Sequence, residues 1–348
     1  MIEKTARPVV IWLVAVGFCI YATIALGGIT RLTGSGLSIV DWNPLMGAIP
    51  PLSTQDWTAL FTKYQSSPQY QIENVGMSLD AFQQIFLWEY FHRLFARLIG
   101  TVFLIPYIYF LIKKRFSKKM ALKLAGIFLL GGLQGALGWF MVKSGLVNEP
   151  RVSHLRLTAH LSLALFILSY VTWLICEIAV NAPHPVFDHT PPQRGEGRVR
   201  GFTVFLTALL AIQIFYGAFT AGLRAGQIFN TFPKMDTRWI PEGLWAFTPR
   251  WLNLFSNPIT VQFIHRILGT LFLMGVILLW RIFRKNPTPQ IQNTVRLVCA
   301  LVLLQFTLGV FTLLHHVPVV LASLHQLTAT ALLIGFVRLN FYLKTFRV

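Results

Sequence analysis

Residues 89–100 read EYFHRLFARLIG, and residues 262–275 read QFIHRILGTLFLMG. Each stretch opens a long apolar run and sets a His-Arg pair, His92-Arg93 or His265-Arg266, just inside it. A run of about 20 apolar residues is what a helix needs to cross the hydrocarbon core of a bilayer. Working outward from these two, the same test marks eight spans, near 9–29, 87–112, 121–142, 157–179, 202–222, 260–283, 295–315 and 319–341. The composition agrees. Of 348 residues, 55% are hydrophobic and only 12% charged, against about 25% charged in a soluble domain. That balance excludes a disordered chain, a solenoid of polar repeats and an ordinary cytosolic enzyme. The expected fold class is an all-α polytopic membrane protein of eight transmembrane helices.

The net charge of +18 would suggest nucleic acid in a soluble protein. Here the basic residues sit in short runs between spans, so they read as topology determinants and contacts to anionic lipid, with no nucleic-acid partner expected. Eighteen Lys and Arg residues fall on one side, including the run Lys113, Lys114, Arg115, Lys118 and Lys119, and nine on the other, although its loops are longer. The positive-inside bias therefore predicts cytoplasmic N- and C-termini. No convincing small-residue cleavage site follows the first apolar stretch, so Met1–Pro8 reads as a cytoplasmic tail, not a cleaved signal. The long connections, 30–86 and 223–259, face outward, and their Trp, Pro and Gly content predicts ordered caps. Cys19, Cys176 and Cys299 all lie in apolar segments. They form neither a disulfide framework nor a metal-binding cysteine cluster.

The two halves echo each other. LQGALGWF, 133–140, in the third span matches LQFTLGVF, 304–311, in the seventh. The His-Arg pair recurs in the second and sixth spans, and His160 and His325 recur in the fourth and eighth, each with alanine four residues on. GGITRLTGSGL after the first span is answered by GAFTAGLRAGQ at the end of the fifth. The pattern predicts two pseudo-symmetric four-helix bundles in parallel orientation, 1–190 and 191–348.

The even-numbered spans all run from outside to inside, and His92, His160, His265 and His325 all lie in their first turns. With a rise of about 1.5 Å per residue, the four share one depth in the outer leaflet. One histidine in a span can simply bond a neighbouring helix. Four at one depth, two per repeat, point to function, because ionisable groups inside a membrane are costly. Imidazoles facing each other from two helices can hold a heme iron from both sides. Zinc or copper would want further ligands, and no Cys or Met motif supplies them. His92 is thus expected to face His160, and His265 to face His325, each pair on a heme. His154, His315 and His316 read as hydrated interfacial residues, and His184 and His189 as solvated ones.

Arg266 and, less strongly, Arg31, Arg93, Arg97 and Arg224 are candidates for heme propionates, since guanidinium groups bind carboxylates through paired hydrogen bonds. The alternative is snorkelling to the lipid interface, which is harder for Arg97, deeper in its span. One difference separates the halves. Glu89 stands three residues before His92 on the same helix face, and Gln262 holds the matching place before His265. Glu89 either pairs with Arg93 or Arg97, or handles charge and protons at one heme only. Two equivalent electron-transfer hemes would not need that difference. It makes Glu89, His92 and His160 the candidate catalytic group.

The stretch GGITRLTGSGLSIVDWNPLMGAIPP, 27–51, followed by EYFHRLFARLIG and QFIHRILGT, resembles the heme A synthase family, and the resemblance covers nearly the whole chain. It implies oxidation of the ring methyl of heme o to the formyl group of heme a, by successive hydroxylations, for aa3-type cytochrome oxidase. It implies a heme b cofactor on His265 and His325 and the substrate heme near Glu89, His92 and His160. Heme o synthase and an electron-transfer protein are the partners it suggests, in a bacterial inner membrane. Some members carry a cysteine pair in the outer loops; this chain has none there, so it is similar to the cysteine-free proteobacterial and mitochondrial type and lacks a loop disulfide relay. The alternative is a bis-histidine dihaem cytochrome b-like electron carrier. A transporter built on parallel repeats would share the layout but bind no heme.

Overall fold

A computed structural model describes residues 3–41, 49–146, 150–180, 196–284 and 288–345. His184, His189, Arg194, Lys285, Arg347 and the WNPLMGA segment at 42–48 lie outside the described residues. Among the described residues the regular structure is helical throughout, apart from one isolated bridge between Met235 and Arg238. Eight helices are long and apolar enough to cross a membrane. They are α1 (Glu3–Leu32), α4 (Leu79–Ile112), α5 (Lys118–Lys143), α6 (His154–Val180), α7 (Glu196–Gly222), α9 (Pro258–Phe283), α10 (Pro289–Leu314) and α11 (Val319–Thr345). The three shorter helices are α2 (Thr54–Gln65), α3 (Pro68–Glu73) and α8 (Asn253–Ser256). All eight expected spans are present. Their outward faces carry large apolar side chains, among them Ile105, Leu122, Leu129, Phe166, Met274 and Val320. That surface suits lipid and would be a liability in water.

The second span departs most from its expected bounds. Its helix begins at Leu79, not 87, because local signals outrank hydropathy there. The Ser78 hydroxyl accepts the Ala81 N–H at 3.2 Å as an N-cap. Phe82 and Phe86 then extend the buried face into the outer connection. His154, expected in a loop, is the first residue of α6.

The described residues fall into two compact units, one of Phe18–Ala164 and one of Met1–Gly17 with Leu165–Val348. In the first, α4 packs on α5 and on α2. The connection between α1 and α4 folds into a small aromatic core of Tyr64, Phe82, Phe86 and Tyr90, with Trp57, Phe61 and Tyr70 against it. Tyr64 stacks on Phe82 with ring centroids 5.1 Å apart. Burial pushes its phenol above the ordinary range, while its oxygen accepts a hydrogen bond from Asn74.

In the second unit α7, α9, α10 and α11 each pack against the next, and α11 closes on α7, giving a four-helix bundle. Its core includes Phe272, Val276, Leu279, Val298, Leu332 and Phe336. The outer connection is pinned by asparagines. Asn253 and Asn257 are buried and bonded to each other at 2.8 Å, and Asn257 also donates to the Gly243 carbonyl. Asn230 ties the connection to the end of α10 by donating to the Leu313 carbonyl at 2.8 Å.

Candidate functional site

Each of the four histidines packs against a glycine on the preceding span. A Cβ added at Gly27 of α1 would stand 3.1 Å from the Nε2 of His92. At Gly138 of α5 and Gly217 of α7 it would stand 3.0 and 3.2 Å from the Cε1 atoms of His160 and His265. At Gly309 of α10 the distance to the Cε1 of His325 is 2.8 Å. These glycines permit close approach: a side chain would make the imidazole give by a few tenths of an ångström at Gly27, Gly138 and Gly217, and by more at Gly309.

Within each unit two of the expected site histidines influence each other electrostatically. His92 and His160 lie within electrostatic range of each other, and so do His265 and His325. All four rings are partly buried. His325 is the best defined. With the ring proton on Nδ1, it donates to the Gln305 carbonyl at 3.1 Å, which makes Nε2 the acceptor. The Gln305 amide lies 3.3 Å from that nitrogen. Gln134 stands in the same relation to His160 at 3.4 Å, and Gln213 to His265 at 3.5 Å. These glutamines were not recognised as site residues from sequence. The signal was present: the repeats LQGALG and LQFTLG contain Gln134 and Gln305, and QIFYG contains Gln213. Only packing shows that they meet the histidines.

Around the pairs, several buried polar atoms have no partner among the described residues. They include Nδ1 of His160 and His265 and Oε1 of Gln134, Gln213 and Gln305. Buried polar groups are normally satisfied, above all where no bulk water can reach them. Paired histidines bedded on glycine, with buried nitrogen and amide oxygen atoms left without partners, are the kind of donor set that would suit a bound heme. Among the described residues no cluster of three or more His, Cys, Asp or Glu side chains forms that would hold a bare metal ion.

Glu89 is 2% exposed, and its carboxylate accepts three hydrogen bonds. One oxygen accepts the Ser38 hydroxyl at 2.7 Å and the Ile39 N–H at 2.9 Å. The other accepts Arg93 at 2.7 Å, one turn along α4. Arg93 also donates to the Ile39 carbonyl. The acid and its arginine therefore hold the chain that leaves α1 against α4. The second unit repeats the device without the acid. Gln262 donates to the Phe229 carbonyl at 3.1 Å, and Arg266 donates to the carbonyls of Phe229, Thr231 and Lys234. The Nε of Arg266 and Oε1 of Gln262 are left buried and unpartnered. The remaining arginines are spread out: Arg31 in the last turn of α1, Arg97 partly buried in α4, and Arg224 in a left-handed conformation (φ 52°) after α7. His315 and His316 are exposed just past α10.

A family model described as cytochrome oxidase assembly protein matches residues 10–337. A heme A synthase of Nitrosospira multiformis is 45% identical, covering 97% of this chain and 94% of that one. The chain belongs to the heme A synthase family. Relatives of the same name from Nitrosomonas eutropha and Paramagnetospirillum magneticum are 43% and 44% identical, over 93% and 94% of this chain and 90% and 91% of theirs. The family resemblance read from residues 27–51 and the two His-Arg stretches is therefore upheld along nearly the full length. In this member of the heme A synthase family all four histidines pack on a glycine of the preceding span, and Glu89 against Gln262 is one chemical difference between the pairs.

Proposed function

We propose that this membrane protein converts the ring methyl of heme o to the formyl group of heme a, for cytochrome oxidase. The observation that carries this beyond family membership is the inequality of two otherwise matching sites: a buried carboxylate beside His92 and an amide at the equivalent place beside His265. In this reading the half 1–190 receives the substrate heme between His92 and His160, and the half 191–348 keeps heme b between His265 and His325. Heme b, when bound, supplies a one-electron redox centre. The chain's own residues do the rest. The paired imidazoles would hold the heme, and the glycines behind them let each ring pack against the preceding span. Arg266, and Arg31, Arg93, Arg97 and Arg224 more distantly, supply positive charge for propionates at the outer ends. Glu89 takes up protons released as the methyl carbon is oxidised, or stabilises positive character there. Ser38, Ile39 and Arg93 keep that carboxylate in place.

The direct test is heme extraction and chromatography from cells with and without the gene product, in a strain lacking its own copy. Heme a should appear only with the protein, and heme o should accumulate without it. An electron carrier would leave the heme profile unchanged.

The basic-residue asymmetry supports cytoplasmic termini, and the family resemblance suggests a bacterial inner membrane with heme o synthase and an electron-transfer protein as partners. A reporter enzyme fused after Val348 should be active only in its cytoplasm-competent form. Activity confined to the outer side would reverse the topology.

A further inference from the structure

Threonine hydroxyls in the spans of this chain commonly turn back onto their own helix. Thr23, Thr172, Thr207, Thr294 and Thr328 each donate to the carbonyl four residues before. Thr312 in α10 and Ser323 in α11 do not. Both hydroxyl oxygens are buried, and neither has a hydrogen-bond partner among the described residues. Their places in the chain are specific. Thr312 stands three residues after Gly309, which packs on His325, and Ser323 stands two residues before His325 itself. With a rise of about 1.5 Å per residue, both lie within about one turn of the level of that histidine, displaced towards the connection between α10 and α11.

A third donor reaches the same end of the bundle. The Nε of Arg266, next to His265, is buried and unpartnered among the described residues. The rest of its guanidinium donates to the carbonyls of Phe229, Thr231 and Lys234, and Asp236 acts on its charge without bonding to it. Between Phe229 and Thr231, Asn230 donates to the carbonyl of Leu313, the residue after Thr312. Residues 229–231 therefore tie Arg266 to the end of α10 beside Thr312. Three buried donors and a positive charge with no acceptor argue against a cation and suit a carboxylate. The first half has no such set. The repeat puts Met141 at the place of Thr312 and Thr158 at the place of Ser323, and the Thr158 hydroxyl donates to the His154 carbonyl at 2.8 Å.

We propose that the hydroxyls of Thr312 and Ser323, with the Nε of Arg266, bind the propionate carboxylates of the heme b held by His265 and His325, and so make the second half the one that keeps its heme. This rests on the heme b reading given above. The two roles open to such hydroxyls have opposite signs. Removing a buried hydroxyl that has no partner is neutral or stabilising, whereas removing one that donates to a charged acceptor weakens what it holds. A heme that stays through every turnover gains from donors at its carboxylates. A substrate heme that must leave does not, and the first half lacks the pair of hydroxyls.

The test uses the purified full-length protein with its hemes. Loss of heme b to excess apomyoglobin is timed, and the released heme is identified by mass. Resonance Raman spectra record the propionate bending bands beside the low-spin iron bands, and a redox titration is run alongside. Thr312→Val and Ser323→Ala remove the hydroxyls at nearly constant shape. Each should shift a propionate band and speed heme b loss by about 10-fold. Each should also lower the midpoint potential, because a carboxylate stripped of a donor favours ferric iron. The low-spin iron bands should stay as in wild type. Thr312→Ser keeps the hydroxyl and should restore both the band and the release rate. Thr158→Ala, at the matching place in the first half, should leave heme b as it is. If Thr312→Val fails to insert, Ser323→Ala carries the test alone. Unchanged propionate bands and release in the variants overturn the proposal. Faster release with unchanged propionate bands overturns it too, since the hydroxyls would then act only in packing. Wild-type protein with no low-spin heme b would overturn the heme b reading itself, and that is seen before any hydroxyl is removed.

Discussion

Glu89→Gln is expected to insert, keep its heme b and lose heme a formation by about 100-fold or more, the range associated with a positioned proton-transfer group. Gln has nearly the shape of Glu but cannot carry its charge. The second half indicates that α4 can tolerate the amide, because Gln262 occupies the equivalent place and the loop there is still held by Arg266. Extracted hemes should shift to heme o or a partly oxidised form. A control is required, since Glu89 also anchors Ser38, Ile39 and Arg93. Arg93→Leu removes the ion pair but leaves the carboxylate. If Glu89 acts only as an anchor, the two variants should be equally impaired. If the carboxylate acts on the substrate, Arg93→Leu should retain far more activity. Wild-type heme a production by Glu89→Gln would show that the carboxylate has no chemical role.

His265→Ala and His325→Ala should each strip heme b or convert it to a high-spin form, because one axial bond is lost. The visible spectrum and pyridine hemochrome yield report this directly. Gly309→Ala is the finer probe. Its Cβ would stand 2.8 Å from the His325 ring, so the ring or the helix must shift. Heme b yield should fall several-fold without removal of any ligand. Gly131→Ala, at a glycine whose added Cβ meets nothing within 4 Å, should be silent. Full heme b in both histidine variants would remove the assignment.

Much of this could be read from the chain. Apolar runs long enough for a bilayer have few alternatives, because a helix is the only single-segment way to satisfy a backbone in hydrocarbon. The eight spans follow from that, and the duplicated His-Arg motifs identify the histidines. Helix ends were less accessible. The start of α4 at Leu79 depends on a serine cap and on aromatic residues that pack on α2, so hydropathy alone places it too late.

What the sequence by itself determined is what depends on periodicity and transfer from water: the helical class, the span count, the recurrence of His92, His160, His265 and His325 in the even-numbered spans, and the Glu89/Gln262 contrast. Only the tertiary structure decided how those residues are used. Arg93 and Arg266 are spent on the chain leaving the preceding span, and Gln134, Gln213 and Gln305 meet the imidazoles from 20 to 52 residues away. Such contacts depend on which helix faces which and on a glycine that permits close approach. One-dimensional order records the glycine, but not the ring that packs on it.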